Sequence, residues 1–597
     1  MPFFNVRMGC SKLMNNLFEF DRVRFSYLLP SGESISAIQD VSFSIQAGEY
    51  VAVIGANGSG KTTLVKLMNG LITPDGGSVR VAGISTSNQI QPAEIFTKVG
   101  LIFQNPRDQI VASLVEEDTA FGPENLCLAQ SEIKERVDAS LTMCGASHLK
   151  GRQTYLLSAG ETQRIALAGV LAMHPACLIF DETTAMLDPR SRKDLIDLMA
   201  NFHQQGFTII HVTHDLDEAL AAKRILVLHE GHLVMDGTPQ EVFKNDRTMR
   251  EYDLDIPFVL RYARDLQSCF SQLSAFYRSE GDLLNDLMKV KYFNTGAGQS
   301  QDLRQAHAAE EDFIHFEHLS HTYMAGTPLA QTALQDITFS LPGVGGAGLV
   351  GHTGSGKSTI LQHLNGLIRP QQGKVRIGEF DLSRVDVDIK SLRQRVGLVF
   401  QSPEAQFFET YVGDEIAYAA RMLGYTGKLR DLVRAAMQAV GLDFEQFVDR
   451  PLYSLSGGQK RRVALASYLV VQPRVLLLDE PFAGLDPLIH QEMIDFVNRL
   501  KDEGKTIVLS THTMRDLLQM IQKVIVLHNG KMVFDGAVAD LFRQPDLNAW
   551  GLEIPLELKI ADGLRKNGWQ IPADAVRWKA MLGWLRRNSA EVGNARF

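Results

Sequence analysis

The chain has 597 residues, with 60 Lys and Arg against 69 Asp and Glu and a formal net charge of −9. That length leaves room for roughly two to four domains, and the acidic balance argues against nucleic acid as a partner. The five cysteines, Cys10, Cys127, Cys144, Cys177 and Cys269, follow neither a metal spacing nor a disulfide framework, which points to a reducing cytoplasm. No apolar run of about 18 residues exists, so any membrane connection is expected through partner proteins.

Residues 1–17 read as a flexible leader, with Met14 an alternative start. Residues 18–25 alternate apolar and polar and predict a strand, which Tyr27 ends. Residues 28–36 read as a loop and 41–45 as a second strand. The apolar run 50–54 predicts a buried strand. It feeds Gly55-Ala56-Asn57-Gly58-Ser59-Gly60-Lys61-Thr62, and a helix opens at Thr63. Glycines in a strand–loop–helix setting let backbone N–H groups crowd around phosphates. Lys61 adds a mobile positive charge, and Thr62 offers a hydroxyl to Mg²⁺. The bland alternative, a glycine turn without a ligand, weakens as later landmarks fall into place.

Residues 99–103 predict a strand ending at Gln104. Such a glutamine is ordinarily a surface residue; here it is placed to touch Mg²⁺ or an attacking water. Residues 105–109 and 115–123 form a candidate partner-facing surface, and 131–145 look helical. Leu157-Ser158-Ala159-Gly160-Glu161 caps a further helix, with Ser158 as N-cap. A strand over 177–180 ends in Asp181-Glu182. Asp181 suits Mg²⁺, usually through water, and Glu182 suits the positioning or deprotonation of a water attacking a γ-phosphate. Solvated loop carboxylates are the alternative. Asp188 follows, and the apolar strand 208–212 leads to His214, placed to hydrogen-bond a γ-phosphate. A histidine at a strand end is as often structural. Residues 225–228 and 232–235 read as a strand pair, and 238–275 as helices broken near 255–257.

After a polar stretch, 278–312, the same order returns. Tyr27 and Gly55 recur at Tyr323 and Gly351, both offset by 296, and Gln104 recurs at Gln401. Leu157, Asp181 and His214 recur at Leu455, Asp479 and His512, all offset by 298. This is a duplicated domain of about 280 residues, not a small repeat. Its phosphate loop is Gly351-His352-Thr353-Gly354-Ser355-Gly356-Lys357-Ser358, followed by Thr359. Leu455-Ser456-Gly457-Gly458-Gln459 precedes Asp479-Glu480, Asp486 and His512. Recurrence at His512 favours a functional His214. Tyr27 and Tyr323 each offer a ring to a flat base. Thr513 stands where the first copy has Asp215. The tail 556–597 is amphipathic.

The two copies resemble ABC-type ATPase domains, with the Walker A loop, Gln loop, signature, Walker B, Asp loop and switch histidine in that family's order. The resemblance covers nearly all of residues 18–555. It implies an α/β fold of the P-loop NTPase class in two tandem copies, 18–277 and 313–555. Each would carry an antiparallel β edge, a helical signature subdomain and a short C-terminal extension, with a helical extension over 556–597. A finer similarity links Gln104-Asn105-Pro106-Arg107-Asp108-Gln109, Gln401-Ser402-Pro403-Glu404-Ala405-Gln406 and the paired tails 254–257 and 552–555 to energy-coupling factor importers of vitamins and metal ions.

From this resemblance follow ATP and Mg²⁺ as ligands and two head-to-tail sites. One would join Lys61, Thr62, Gln104, Asp181, Glu182 and His214 to Ser456, Gly457, Gly458 and Gln459. The other would join Lys357, Ser358, Gln401, Asp479, Glu480 and His512 to Ser158, Ala159 and Gly160. Asp188 and Asp486 would each face the opposite copy. The implied partners are an integral-membrane scaffold and a small membrane substrate-binding protein, placing the chain peripherally on the cytoplasmic face of the membrane. The alternatives are another ABC transporter class, or a soluble tandem ATPase acting on ribosomes or DNA. Ala159 is expected to deny the backbone φ > 0, and Glu161 to weaken phosphate attraction unless it points away. Two competent sites of unequal rate are the expectation.

Overall fold

The computed structural model describes residues 16–28, 32, 34–87, 92–185, 187–290, 312–327, 329–483, 485, 487–572 and 577–594. Most of the expected leader, residues 291–311 of the expected tether and Asp486 lie outside the described residues. The chain divides into two compact units, residues 1–258 and 259–597.

In the first unit, β1 (Asn16–Leu28), β2 (Ser34–Gln46), β3 (Tyr50–Ile54), β4 (Gly76–Val81) and β5 (Ile84–Ser85) precede β6 (Val99–Ile102), β7 (Cys177–Asp181), β8 (Thr208–Val212), β9 (Arg224–His229) and β10 (His232–Gly237). They form two sheets. One is antiparallel, ordered β2-β1-β4-β5; the other is ordered β10-β9-β3-β8-β7-β6 and is parallel except for β10. Every residue of β3, β7 and β8 is buried. A parallel strand covered on both faces is mainly apolar, which is why these strands read as near-continuous runs. The apolar face of helix Lys61–Asn69, with Leu64, Val65, Leu67 and Met68, fills the space between the sheets. Helices Val115–Asn125, Gln130–Met143 and Ala159–Leu171 pack together as a separate helical layer.

One expectation is corrected here. The loop expected over 28–36 is strand at its two ends, Leu28 and 34–36, where Leu28 pairs with Ser34 and Tyr27 with Ile35. Asp40 has φ +56 and the register shifts beside it. This bulge breaks the alternation, so one long strand reads as a loop followed by a short strand.

The second unit repeats the plan with β11 (Asp312–Tyr323), β12 (Gln331–Pro342), β13 (Gly345–Val350), β14 (Gln372–Ile377), β15 (Phe380–Asp381), β16 (Val396–Val399), β17 (Val475–Asp479), β18 (Thr506–Thr511), β19 (Lys523–His528) and β20 (Lys531–Ala537). Its sheets are ordered β12-β11-β14-β15 and β16-β17-β18-β13-β19-β20.

This unit also contains a layer built from both halves of the sequence. Residues 280–290, expected to begin a polar tether, instead contain helix Glu280–Leu287, packed on helix Leu556–Lys566. Lys559 Nζ lies 2.7 Å from Glu280, and Asn567 donates to the Leu287 carbonyl at 3.1 Å. Trp569 is buried edge-on against Phe270, with ring centroids 5.0 Å apart. The Trp578 indole N–H donates to Asp265 at 2.7 Å, and the Tyr262 hydroxyl donates to Glu557 at 2.5 Å. Among the described residues, no helix is long and apolar enough to cross a membrane.

Candidate active site

The phosphate loop sits between β3 and helix Lys61–Asn69, and its glycines are sterically required. A Cβ on Gly55 would stand 2.4 Å from the Leu228 carbonyl oxygen. Gly60 caps the helix at φ +102 with the Ala37 carbonyl 2.5 Å from any added Cβ. Lys61 is buried and donates to the Gly55 and Ala56 carbonyls at 2.9 and 3.0 Å. In the second copy Lys357 does the same with Gly351 and His352, at 2.7 and 3.0 Å. Ser59 and Ser355 line the two loops with buried hydroxyls. Tyr27 and Tyr323 are equivalent: each exposes part of its ring and places its hydroxyl 3.2 or 3.3 Å from Thr63 or Thr359 on the loop's helix.

Around each lysine the structure gathers three residues predicted from separate strand ends. Gln104 donates to Glu182 at 3.1 Å, His214 Nδ1 lies 3.8 Å from the same carboxylate, and Lys61 lies 3.5 Å away. In the second copy Gln401, His512 and Lys357 stand 3.4, 3.1 and 3.9 Å from Glu480. Glu182 and Glu480 hold φ of +49 and +45, a strained backbone that turns the carboxylate back into the cluster. Burial opposes ionisation of Glu182, but the His214 hydrogen bond and the Lys61 charge prevail and hold its carboxyl down at about 2. Glu480 is likewise held low against burial by His512 and Lys357.

The neighbouring aspartates shift the other way. Burial, followed by the Glu182 charge, pushes Asp181 up to about 6, although Thr62 bonds to it. Its Oδ1 is buried without a hydrogen-bond partner. In the second copy the Ser510 hydroxyl donates to Asp479 and accepts from the Glu480 N–H at 3.1 Å. Burial still raises Asp479, while Ser510 and Ser358 moderate it. The first copy has Val212 at the corresponding position, and that valine leaves Asp181 without this support.

These features fit a divalent cation held together with phosphates. Asp181 offers a buried carboxylate oxygen with unused capacity, and Thr62 a hydroxyl beside it. Asp479 and Ser358 form the matching pair. Among the described residues no group of three or more His, Cys, Asp and Glu forms a metal site by itself. An ion held by these residues would take its other ligands from phosphate and water, as suits Mg²⁺.

The Asp181 shift has a testable sign. Between about pH 4 and pH 6 the folded chain keeps a proton that the unfolded chain has lost. Stability therefore falls as pH rises through that window and stays lower above it, by about 3 kcal/mol for a shift of about two pKa units. Asp181→Asn is expected to raise the ligand-free melting temperature of the first unit at pH 7.5 and to remove this part of the pH slope. An unchanged melting curve across pH 4–8 would contradict it.

The signature helices begin alike. Ser158 accepts from the Glu161 N–H while the Glu161 carboxylate accepts from the Ser158 N–H; Ser456 and Gln459 make the same capping box. Glu161 is thus tied to its own helix start. Burial acts against its charge, but the Ser158 bonds and Arg152 keep its carboxyl below the ordinary range. The conformational objection to Ala159 is also corrected. Neither Ala159 nor Gly457 has positive φ, since both are first residues of right-handed helices. No atom lies within 4 Å of where a Cβ on Gly457 would stand. Gly160 is different: a Cβ there would meet Ser191 Oγ at 2.9 Å.

Asp188, expected to face the other copy, caps its own helix Pro189–Gln204, accepting from the Arg190 and Ser191 N–H groups at 3.1 and 3.0 Å. Asp215 caps helix Leu216–Ala219, whereas Thr513 supplies no side-chain cap to helix Met514–Met520. Sequence reasoning missed Ser510. Its only sequence signal was a polar residue in a buried strand where the other copy has valine.

The family pattern for ABC transporters matches residues 38–185 and 334–483. A "Putative ABC transporter ATP-binding protein" of Methanosarcina mazei is 30% identical over 594 residues, covering 96% of this chain and 98% of its own length. The "Putative HMP/thiamine import ATP-binding protein YkoD" of Bacillus subtilis is 31% identical over 539 residues, covering 89% of this chain and 93% of its own. Among solved structures, cbiO1 from Clostridium perfringens, described as part of the ABC transporter complex cbiONQ, is 32% identical, with a TM-score of 0.36, and the match covers 40% of this chain and 94% of that one. With an ABC cassette fold in each unit and a relative alike over almost its whole length, the chain belongs to the ABC transporter ATP-binding proteins as a tandem, ATP-hydrolysing member.

Proposed function

We propose that the chain is the fused ATPase pair of an energy-coupling factor type importer, driving uptake of a vitamin, a vitamin precursor or a metal ion. The observation that carries this reading is the complete cluster of Lys, Gln, Glu and His, with Asp beside it, in both copies. Two full sets suit a motor more than a scaffold. The importer type draws on the likeness to YkoD, whose name assigns it HMP/thiamine import, and on the 105–109 and 402–406 segments.

In this reading the ligand-free cluster is a resting state. Lys61 and His214 now hold Glu182 ionised and occupied. An ATP γ-phosphate draws the Lys61 ammonium and the His214 hydrogen bond to itself, so Glu182 recovers basicity and Gln104 is free to orient the water. Glu182 then takes a proton from the water as the water oxygen bonds to the γ-phosphorus and the β–γ bridging P–O bond breaks, with ADP leaving on its β-phosphate oxygen. Thr62 and Asp181 would hold Mg²⁺, which supplies charge neutralisation on the phosphates. Tyr27 would stack on the adenine. The signature of each copy would complete the other's site, and fusion keeps the two at high effective concentration. The exposed Gly457 end, with open space around its backbone, supports such a use.

Partner docking is supported by exposed apolar side chains that follow each Gln loop. The bridge between Leu114 and Gln153 ties the segment that carries exposed Val111 to the one that carries exposed Tyr155 and Leu156. The bridge between Tyr411 and Pro451 does so for Phe408 and Tyr453. In this reading a membrane scaffold covers these faces and a small membrane protein supplies the cargo. The test is copurification of the tagged chain from detergent-solubilised native membranes. Recovery of a scaffold with a small substrate-binding membrane protein is expected; recovery with a soluble binding protein would assign another importer class.

A further inference from the structure

The seventh residue of the two signature segments differs, and the difference has a structural consequence. In the second copy it is Arg461, in the second turn of helix Gly457–Leu469. Its guanidinium is buried and donates to three backbone carbonyls: Gln401 at 2.9 Å, Glu480 at 3.2 Å, and Pro481. Those three residues belong to the two strand ends that supply the glutamine and the carboxylate of the hydrolytic cluster. A planar fork with five donors can span such a set, and few other side chains can.

The first copy has Gln163 at this position and Thr183 in place of Pro481. Both Gln163 amide atoms and the Thr183 hydroxyl are buried without hydrogen-bond partners. The same place in the fold is therefore stapled in one copy and unstapled in the other.

We propose that Arg461 is a positioning residue for the second copy's hydrolytic pair. It fixes the carbonyls of Gln401, Glu480 and Pro481 in one frame, so that the Gln401 and Glu480 side chains meet the attacking water in register. The staple stands on the helix that Ser456 caps, so a shift of that helix end moves the frame with it. Among the described residues of the first copy, Gln163 makes no such link from signature helix to hydrolytic pair. This inference rests on the reading of Glu480 as the carboxylate that activates water.

The test is ATP turnover by the full chain, with kcat and KM measured separately. In a Glu182→Gln background, Arg461→Gln is expected to lower kcat about tenfold with KM within about twofold, a loss typical of misplacement. In a Glu480→Gln background it is expected to change neither, and Arg461→Lys is expected to recover part of the loss. Equal losses in both backgrounds, no loss in either, or a matching loss of ATP affinity would overturn the proposal. Where a background retains no turnover, the single variant decides: lower kcat at constant KM supports the staple, and unchanged kcat overturns it. Where Arg461→Gln does not fold, Arg461→Lys is read by the same criteria, with a smaller loss expected. If Glu480→Gln itself leaves turnover unchanged, the Glu480 reading falls and this inference with it. If Glu480→Gln lowers turnover and Arg461→Gln does not, only this inference falls.

Discussion

Glu182→Gln is expected to stop hydrolysis at the first copy's site, by roughly 100-fold or more at that site, while ATP binding there persists and the slower second site keeps turning over. Glutamine keeps the shape and the contact with Gln104 but accepts no proton from water. The ligand-free cluster shows why the loss is large. Glu182 is the point on which Gln104, His214 and Lys61 converge, at 3.1, 3.8 and 3.5 Å. Glu480→Gln is expected to cost less, because its ATP would be served by the Ser158-Ala159-Gly160 signature. The relevant measurement is phosphate release under saturating ATP for each variant, alongside bound nucleotide. Equal losses would mean that the differences at Ala159, Val212 and Gln163 have no kinetic effect.

Lys61→Met is the second large expected effect, a weakening of ATP binding at the first copy by roughly tenfold to 100-fold. An ammonium aimed at phosphate makes charge-assisted hydrogen bonds that a thioether of similar length cannot replace. The substitution also removes the ammonium that, with the His214 hydrogen bond, holds the Glu182 carboxyl at about 2, so that carboxyl should titrate closer to the ordinary range. Both arms are measurable: ATP affinity by equilibrium titration, and the acidic limb of the Glu182 titration by pH-dependent fluorescence or NMR. Unchanged affinity would remove Lys61 from the phosphate site. Unchanged titration would assign the low pKa to His214 alone.

The local parts of this site were legible in the residue order because their causes are local. Gly55 and Gly60 are required by carbonyls that a side chain would strike, and buried parallel strands leave near-continuous apolar runs. Pairing Asp181 with Glu182 at a strand end needed only the strand. Other features depend on neighbours far along the chain. The Asp40 bulge disguised one strand as two segments. Ala159 looked strained until its φ placed it at a helix start. Ser510 and Arg461 matter through atoms in other elements, so no spacing rule marks them; only the two copies laid side by side expose them. Residues 280–290 read as part of the polar stretch that follows them, although Leu283, Leu284, Leu287, Met288 and Val290 are apolar; what covers Leu283 and Leu287 is the distant tail, which no local pattern shows.

The layer joining residues 259–290 to 556–594 has a consequence for synthesis. Tyr262 meets Glu557 only after 295 further residues have been made. At about 5–20 residues per second on the ribosome, that interval is roughly 15 to 60 seconds. For that time Leu266, Phe270, Leu283 and Leu287, all buried in the finished protein, have no tail to cover them. A nascent chain halted before residue 556 should therefore carry a sticky apolar segment behind an already folded first cassette. Residues 556–594 thus set when the segment closes: only a chain that has reached them hides it from chaperones and proteases.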